Sequence, residues 1–142
     1  HHGDDGIYAP PPLDLVAEQK TGCFVRQQIL GGGISAAHDI SDGGLAVAIA
    51  EMAMRSGFGA DIAVPKTGNL HGWAFGEDQA RFVVATADSK TLIAAAKEAG
   101  IEITKLGMVS DRSELKFGDN DTISVTDLNT VFEGCIPALM AG

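Results

Sequence analysis

Basic residues are scarce in this chain: ten Lys and Arg stand against nineteen Asp and Glu, for a formal net charge of -9. A nucleic-acid surface needs clustered Lys and Arg to displace counterions from phosphates, so that class of function is excluded. Cysteine is scarce too. Cys23 and Cys135 lie near opposite ends with no metal-type spacing, and they read as two free thiols of a reducing compartment rather than one long-range disulfide. No apolar run reaches the roughly 18 residues needed to span a bilayer. The most apolar window, Leu45 to Met54, is itself broken by Glu51. With no signal-peptide pattern either, the expected location is the cytoplasm, away from membranes. Also missing are a Gly-x-Ser-x-Gly nucleophile turn, a P-loop, and a Gly-x-Gly-x-x-Gly run after a strand. His1, His2, His38 and His71 form no zinc-type set with each other or with cysteine.

What is present is an ordinary globular composition, 45% hydrophobic and 20% charged, over 142 residues, enough for one domain with a real core. His1 and His2 resemble the end of a purification tag, and the Gly- and Pro-rich stretch to Pro12 reads as an extended lead-in. Residues 1–12 are therefore set apart from a folded domain over 13–142. Leu13 to Leu30 reads as a helix, interrupted near Gly22 and stopped by Gly31-Gly32-Gly33. A strand over Ile34 to Ile40 and a helix over Asp42 to Ser56 follow. Glu51 and Arg55 on that helix have the i,i+4 spacing of a surface pair. Gly59 to Val64 and Arg81 to Thr86 read as strands, with Lys66 to Gly76 irregular between them. Asp88 caps a helix that ends at Gly100. Strands are expected over Ile101 to Val109, Glu114 to Phe117 and Thr122 to Val125, the last two joined as a hairpin by Gly118-Asp119-Asn120-Asp121. A helix capped by Thr126 or Asp127 runs to Phe132, and Val131 to Met140 reads as core packing. The mixture predicts an α+β fold, with a mixed sheet packed against helices.

The densest chemistry lies in His38-Asp39-Ile40-Ser41-Asp42-Gly43-Gly44, a strand-to-helix turn. Glycines let the backbone turn tightly and let a ligand approach it. The first free N–H groups of the following helix favour an anion. Carboxylates beside such a site make sense when a metal ion bridges them to phosphate; which acid, if any, meets a metal is left open. The bland reading stands beside this one. Ser41 or Asp42 caps the helix, the glycines shape the turn, and His38 and Asp39 close the strand end. A second cluster, Glu77-Asp78-Gln79 followed by Arg81, offers acceptors, an amide and a guanidinium at the start of an apolar strand. Arg81 at that rim can pair with a phosphate, or with Glu77 to fix the loop.

Three segments in order, AAHDISDGGLAVAIAEMA, FGEDQARFVV and ITKLGMV, resemble the end of the large-subunit phosphoribosylformylglycinamidine synthase family. PPPLDLVAEQKTGCFVRQQI before them and VTDLNTVFEGCIPALM after them fit as well, so the resemblance covers nearly the whole chain. It implies the C-terminal domain shared by the aminoimidazole ribonucleotide synthetase superfamily, in its second and final copy. The parent enzyme would use ATP and magnesium to activate the amide oxygen of formylglycinamide ribonucleotide. Ammonia from glutamine would then displace the phosphate. Partners implied are the preceding domains of the same chain, a glutaminase subunit and a small accessory subunit. The resemblance assigns substrate or phosphate contact to His38, Asp39, Ser41, Asp42, Gly43, Gly44, Glu77, Asp78, Gln79 and Arg81, with no catalytic residue here. A single such domain is expected to be inactive alone and to hold no tightly bound cofactor. A purely structural, pseudo-symmetric scaffold, or the same domain of a selenophosphate, hydrogenase-maturation or thiamine-phosphate enzyme, is the alternative.

Overall fold

The computed structural model describes residues 14–77, 81–119 and 121–140, with side chains described as far as Gly134. The expected α+β class is found: two sheets are packed with five helices. Helix α1, Leu15–Leu30, starts where the Asp14 carboxylate accepts from the Val16 and Ala17 N–H groups at 3.1 and 3.0 Å. It runs through Gly22 without a break, because one interior glycine costs only about 1 kcal/mol relative to Ala and the turns on either side carry on. Strand β1, Ala36–Asp39, pairs antiparallel with β3, Phe82–Ala85, setting His38 opposite Val83 and Asp39 opposite Phe82. These two strands form the smaller sheet.

Between them in sequence lie helix α2, Gly44–Ser56, strand β2, Gly59–Ile62, and helix α3, Leu70–Phe75. Helix α3 corrects the expectation of an irregular 66–76 segment. Asn69 caps it, accepting from the Gly72 N–H at 3.0 Å, and the helix packs against α2. Its six residues carry no apolar period; the packing, with Trp73 against the core, holds it. Helix α4, Ser89–Glu98, is capped by Asp88 as the sequence indicates, and Gly100 beyond it has φ 61°.

The larger sheet has the order β4-β2-β5-β6, where β4 is Gly107–Ser110, β5 is Glu114–Phe117 and β6 is Asp121–Ser124. The β5–β6 hairpin turns as expected, and β2 lies antiparallel to β4 but parallel to β5. Gly59 allows this close parallel approach, since a Cβ there would overlap the carbonyl oxygens of Arg112 and Glu114. The expected strand over Ile101 to Val109 is corrected to its last part, because pairing with β2 begins only at Gly107. Helix α5, Val125–Met140, starts directly after β6. Ser124 Oγ accepts from the Thr126 and Asp127 N–H groups at 3.1 and 3.3 Å, so the cap is Ser124 rather than Thr126 or Asp127. Val131 and Phe132 are 74% and 63% exposed, so these two residues depart from the reading of Val131 to Met140 as core packing, while the side chains beyond Gly134 lie outside the described residues.

The main core surrounds α2. Leu45, Ala48, Ile49 and Ala53 from that helix meet Ile40, Ile62, Val83, Leu115 and Val125. Full burial of Leu45 and Leu115 is worth roughly 1.5–3 kcal/mol each. A smaller cluster of Val25, Ile34 and Leu92 joins α1 and α4 to the other side of the small sheet. Among the described residues no helix is long and apolar enough to cross a membrane.

Candidate functional site

The 38–44 turn leaves β1 and enters the most buried helix of the molecule. Gly43 and Gly44 both adopt left-handed backbone, with φ 84° and 72°. Such angles suit glycine and strain an L side chain. Space imposes the same choice at Gly44, whose Cβ would lie 2.6 Å from the backbone of Phe75 at the end of α3. The N-cap of α2 is Gly43, with no side-chain cap, so neither Ser41 nor Asp42 plays that part. Instead the Glu77 carboxylate accepts from the Gly43 N–H at 3.0 Å, and the Gly44 N–H donates to the Ser41 carbonyl at 3.0 Å. The N–H groups of Gly43 and Gly44 are thus paired within the chain and are not among the free donors expected to favour an anion. The chain's own residues cover them.

At the other end of the turn, His38 Nε2 lies 2.7 Å from Glu51 Oε2, and Nδ1 lies 2.7 Å from the Asp39 carbonyl oxygen. The imidazole is 23% exposed. Its pKa is raised above 6.5, first by the Asp39 carbonyl and then by the Glu51 carboxylate, against the opposing effect of burial. Sequence reasoning missed Glu51 because Arg55 stands one helical turn away. In the structure Glu51 turns to β1 rather than to Arg55. A lone acid inside an apolar helix was the available signal, since a charge there needs a partner.

The two sequence clusters are thus joined through Glu77 and Gly43, and Arg81 is placed beside the turn, its carbonyl accepting from the Ile40 N–H at 2.9 Å. Asp78 and Gln79 fall outside the described residues. Ser41, Asp42 and Glu77 are exposed, and the Asp39 side chain is 65% exposed. A cleft of about 550 Å³ runs along β1 between α1 and α2, lined by Val25, Ile29, His38, Asp39, Met52 and Arg55 among others. Asp39 lines this cleft, and Asp42 and Arg81 are not among the residues that line it. Among the described residues no group of three or more His, Cys, Asp or Glu side chains is placed to hold a metal ion. Cys23 is a free, exposed thiol, and the Cys135 side chain lies outside the description.

Two sheets around a central helix, with an acid-bearing glycine turn opening that helix, define an α+β module of the kind carried by larger enzymes. The chain belongs to the family described as AIR synthase related protein, C-terminal domain, which matches residues 3–120. It is 47% identical over 135 residues to the phosphoribosylformylglycinamidine synthase subunit PurL of Methylocella silvestris, covering 94% of this chain and 18% of that protein. It is also 47% identical over 139 residues to the subunit of the same name from Parvibaculum lavamentivorans, covering 96% of this chain and 19% of that protein. Its length is thus under one fifth of these curated relatives. Among solved structures, Thermotoga maritima PurL complexed with FGAR superposes with a TM-score of 0.71 at 17% identity, over 87% of this chain and 23% of that one. The same protein complexed with ATP gives 0.66 at 17% identity, over 78% and 21%. At such identities these structures speak for the fold.

Proposed function

We propose that this chain is the final C-terminal domain of a phosphoribosylformylglycinamidine synthase large subunit, with residues 13–142 as the folded unit. The parent enzyme is then an ATP-dependent C–N ligase of cytoplasmic purine synthesis. It converts formylglycinamide ribonucleotide and glutamine-derived ammonia to the amidine, with the preceding domains, a glutaminase subunit and a small accessory subunit as partners. The observation that carries a role for this domain is the turn itself. It is tied at one end through His38 and Glu51 and at the other through Glu77 and Gly43, while Ser41 and Asp42 stay exposed between the ties. A loop so anchored presents a fixed polar edge at low entropic cost, which is what a wall of a ligand site requires. His38, Asp39, Gly43, Gly44, Glu77 and Arg81 shape and support that wall. The described residues fit no magnesium site, so ATP and its metal are assigned to the rest of the enzyme, and the chain alone has no synthase activity.

A scaffold role is the second reading, favoured by the exposed apolar side chains Leu15, Val16 and Leu30 on α1 and Val131 and Phe132 on α5. Full-length enzyme carrying Ser41→Ala or Asp42→Asn separates the two. The wall reading expects ammonia- and ATP-dependent amidine formation to fall about tenfold or more, with the melting temperature unchanged. Wild-type rates from both variants would leave the scaffold reading.

A further inference from the structure

His38 faces two acceptors at once. Its Nδ1 meets a backbone carbonyl, which can only accept, and its Nε2 meets a carboxylate, which accepts when ionised. A neutral imidazole carries one N–H and satisfies one of them. The strand geometry explains why the carbonyl is waiting. Because the Ile40 N–H bonds to the carbonyl of Arg81, the residue just before β3, the alternation of an antiparallel pair turns the Asp39 carbonyl to the open side of β1. No neighbouring strand reaches it among the described residues, and the ring takes that place.

We infer that His38 is a doubly protonated imidazolium at neutral pH and that, with Glu51, it is a positioning pair that sets the 39–44 turn, so that the turn loosens when this proton leaves. The groups around the ring decide the sign. From α2 come Glu51, in contact, and Arg55, which lines the same cleft and opposes the charge. From β1 comes the Asp39 carboxylate, 3.7 Å from Nδ1. The β3 residues opposite, Phe82 and Val83, and the α1 residues in the cleft, Val25 and Ile29, carry no charge. Two carboxylates and a carbonyl dipole outweigh one guanidinium that makes no contact with the ring. The raised pKa of His38 agrees. A group whose folded pKa lies above its unfolded value stabilises fully below that unfolded value, 6.5 here. The contribution fades as pH rises through the folded pKa, and one of the two ties must then open.

The importance of the pair for ligand binding rests on the function proposed above, but its test does not. Nitrogen-15 and proton NMR of the 142-residue chain reads the ring directly, with His38→Gln assigning its signals. The expected result is two protonated ring nitrogens at neutral pH, a midpoint above 6.5, and amide signals of Asp39 to Gly44 that move with that midpoint. Glu51→Gln removes the charge but keeps an acceptor, so the midpoint should fall and the turn amides should follow it. A single ring proton at neutral pH, or turn amides indifferent to the His38 titration, overturns the inference. Both readings come from the unmutated chain, so a variant that fails to fold does not protect the idea, and either failure leaves the wall reading standing.

Discussion

Helices α1 and α2 are of similar length, yet they are put to opposite uses. Over its 13 residues α2 buries Gly44, Leu45, Ala48, Ile49 and Ala53, whereas α1 buries Val25 alone over 16. Alanines explain part of the difference, because small side chains let α2 sit close to α3, α5 and β1 together. The rest is placement. Helix α2 is the element both halves of the fold pack against, while α1 touches the molecule along one narrow line and leaves Leu15, Val16 and Leu30 in the open. Apolar content alone therefore does not tell a core helix from a surface one. The distinction lies in how many other elements reach it.

Substitution in the first turn of α2 should sharpen this contrast most. Leu45→Ala is expected to cost about 2–5 kcal/mol in denaturant unfolding, because it opens a cavity in a site that is 1% exposed. Leu30→Ala at the end of α1, 76% exposed, should stay within about 0.5 kcal/mol; equal losses would break the comparison. Gly44→Ala comes next. A left-handed φ and a Cβ pressed against Phe75 should cost more than about 1 kcal/mol and lower the intensity of native NMR signals from α3. Glu77→Ala removes one exposed acceptor and should cost roughly 0.5–1.5 kcal/mol, with faster hydrogen exchange at the Gly43 amide as its mark. An unchanged Gly43 amide would mean that the tie is not formed in solution.

The smallest effect is electrostatic and concerns α4. Hydrogen bonds from Thr91, side chain first and then backbone, lower the Asp88 pKa below its ordinary 3.8. Its stabilisation is therefore present above 3.8 and is lost as pH falls through the lower folded value. Acid titration followed by backbone shifts should show that helix start fraying before the α3 start, whose capping group, the Asn69 amide, does not titrate. Simultaneous fraying of both would argue that the cap is not what holds α4.

Much of this architecture was legible beforehand, and the failures have local causes. Helix α4 could be read from Asp88 and Gly100, and the β5–β6 hairpin from Gly118, because caps and turns are written in adjacent residues. The short α3 was not, since Gly72 sits inside it and its stability comes from docking on α2. Residues 101–106 look strand-like, with Ile103 reaching the small core, yet a strand exists only where a partner strand runs alongside. At the site, the turn and its glycines could be found, and Glu77 was expected to pair with Arg81 or to meet a phosphate. Its bond to Gly43, and that of Glu51 to His38, could not be, because each joins residues that only the tertiary fold brings together.

The parallel pairing of β2 with β5 has a kinetic consequence. Ala60 registers with Leu115, far along the chain, and no hairpin can deliver that contact. The parallel neighbour must wait while α3, β3, α4 and β4 are all laid down, so this pairing closes the longest loop of any strand pair among the described residues. During synthesis, β2 therefore leaves the ribosome with neither neighbour available: β4 and β5 both follow later. A nascent chain stalled before Gly107 would expose both long edges of β2, and that is the stage at which a chaperone, or another nascent copy, would find an unpaired strand to hold.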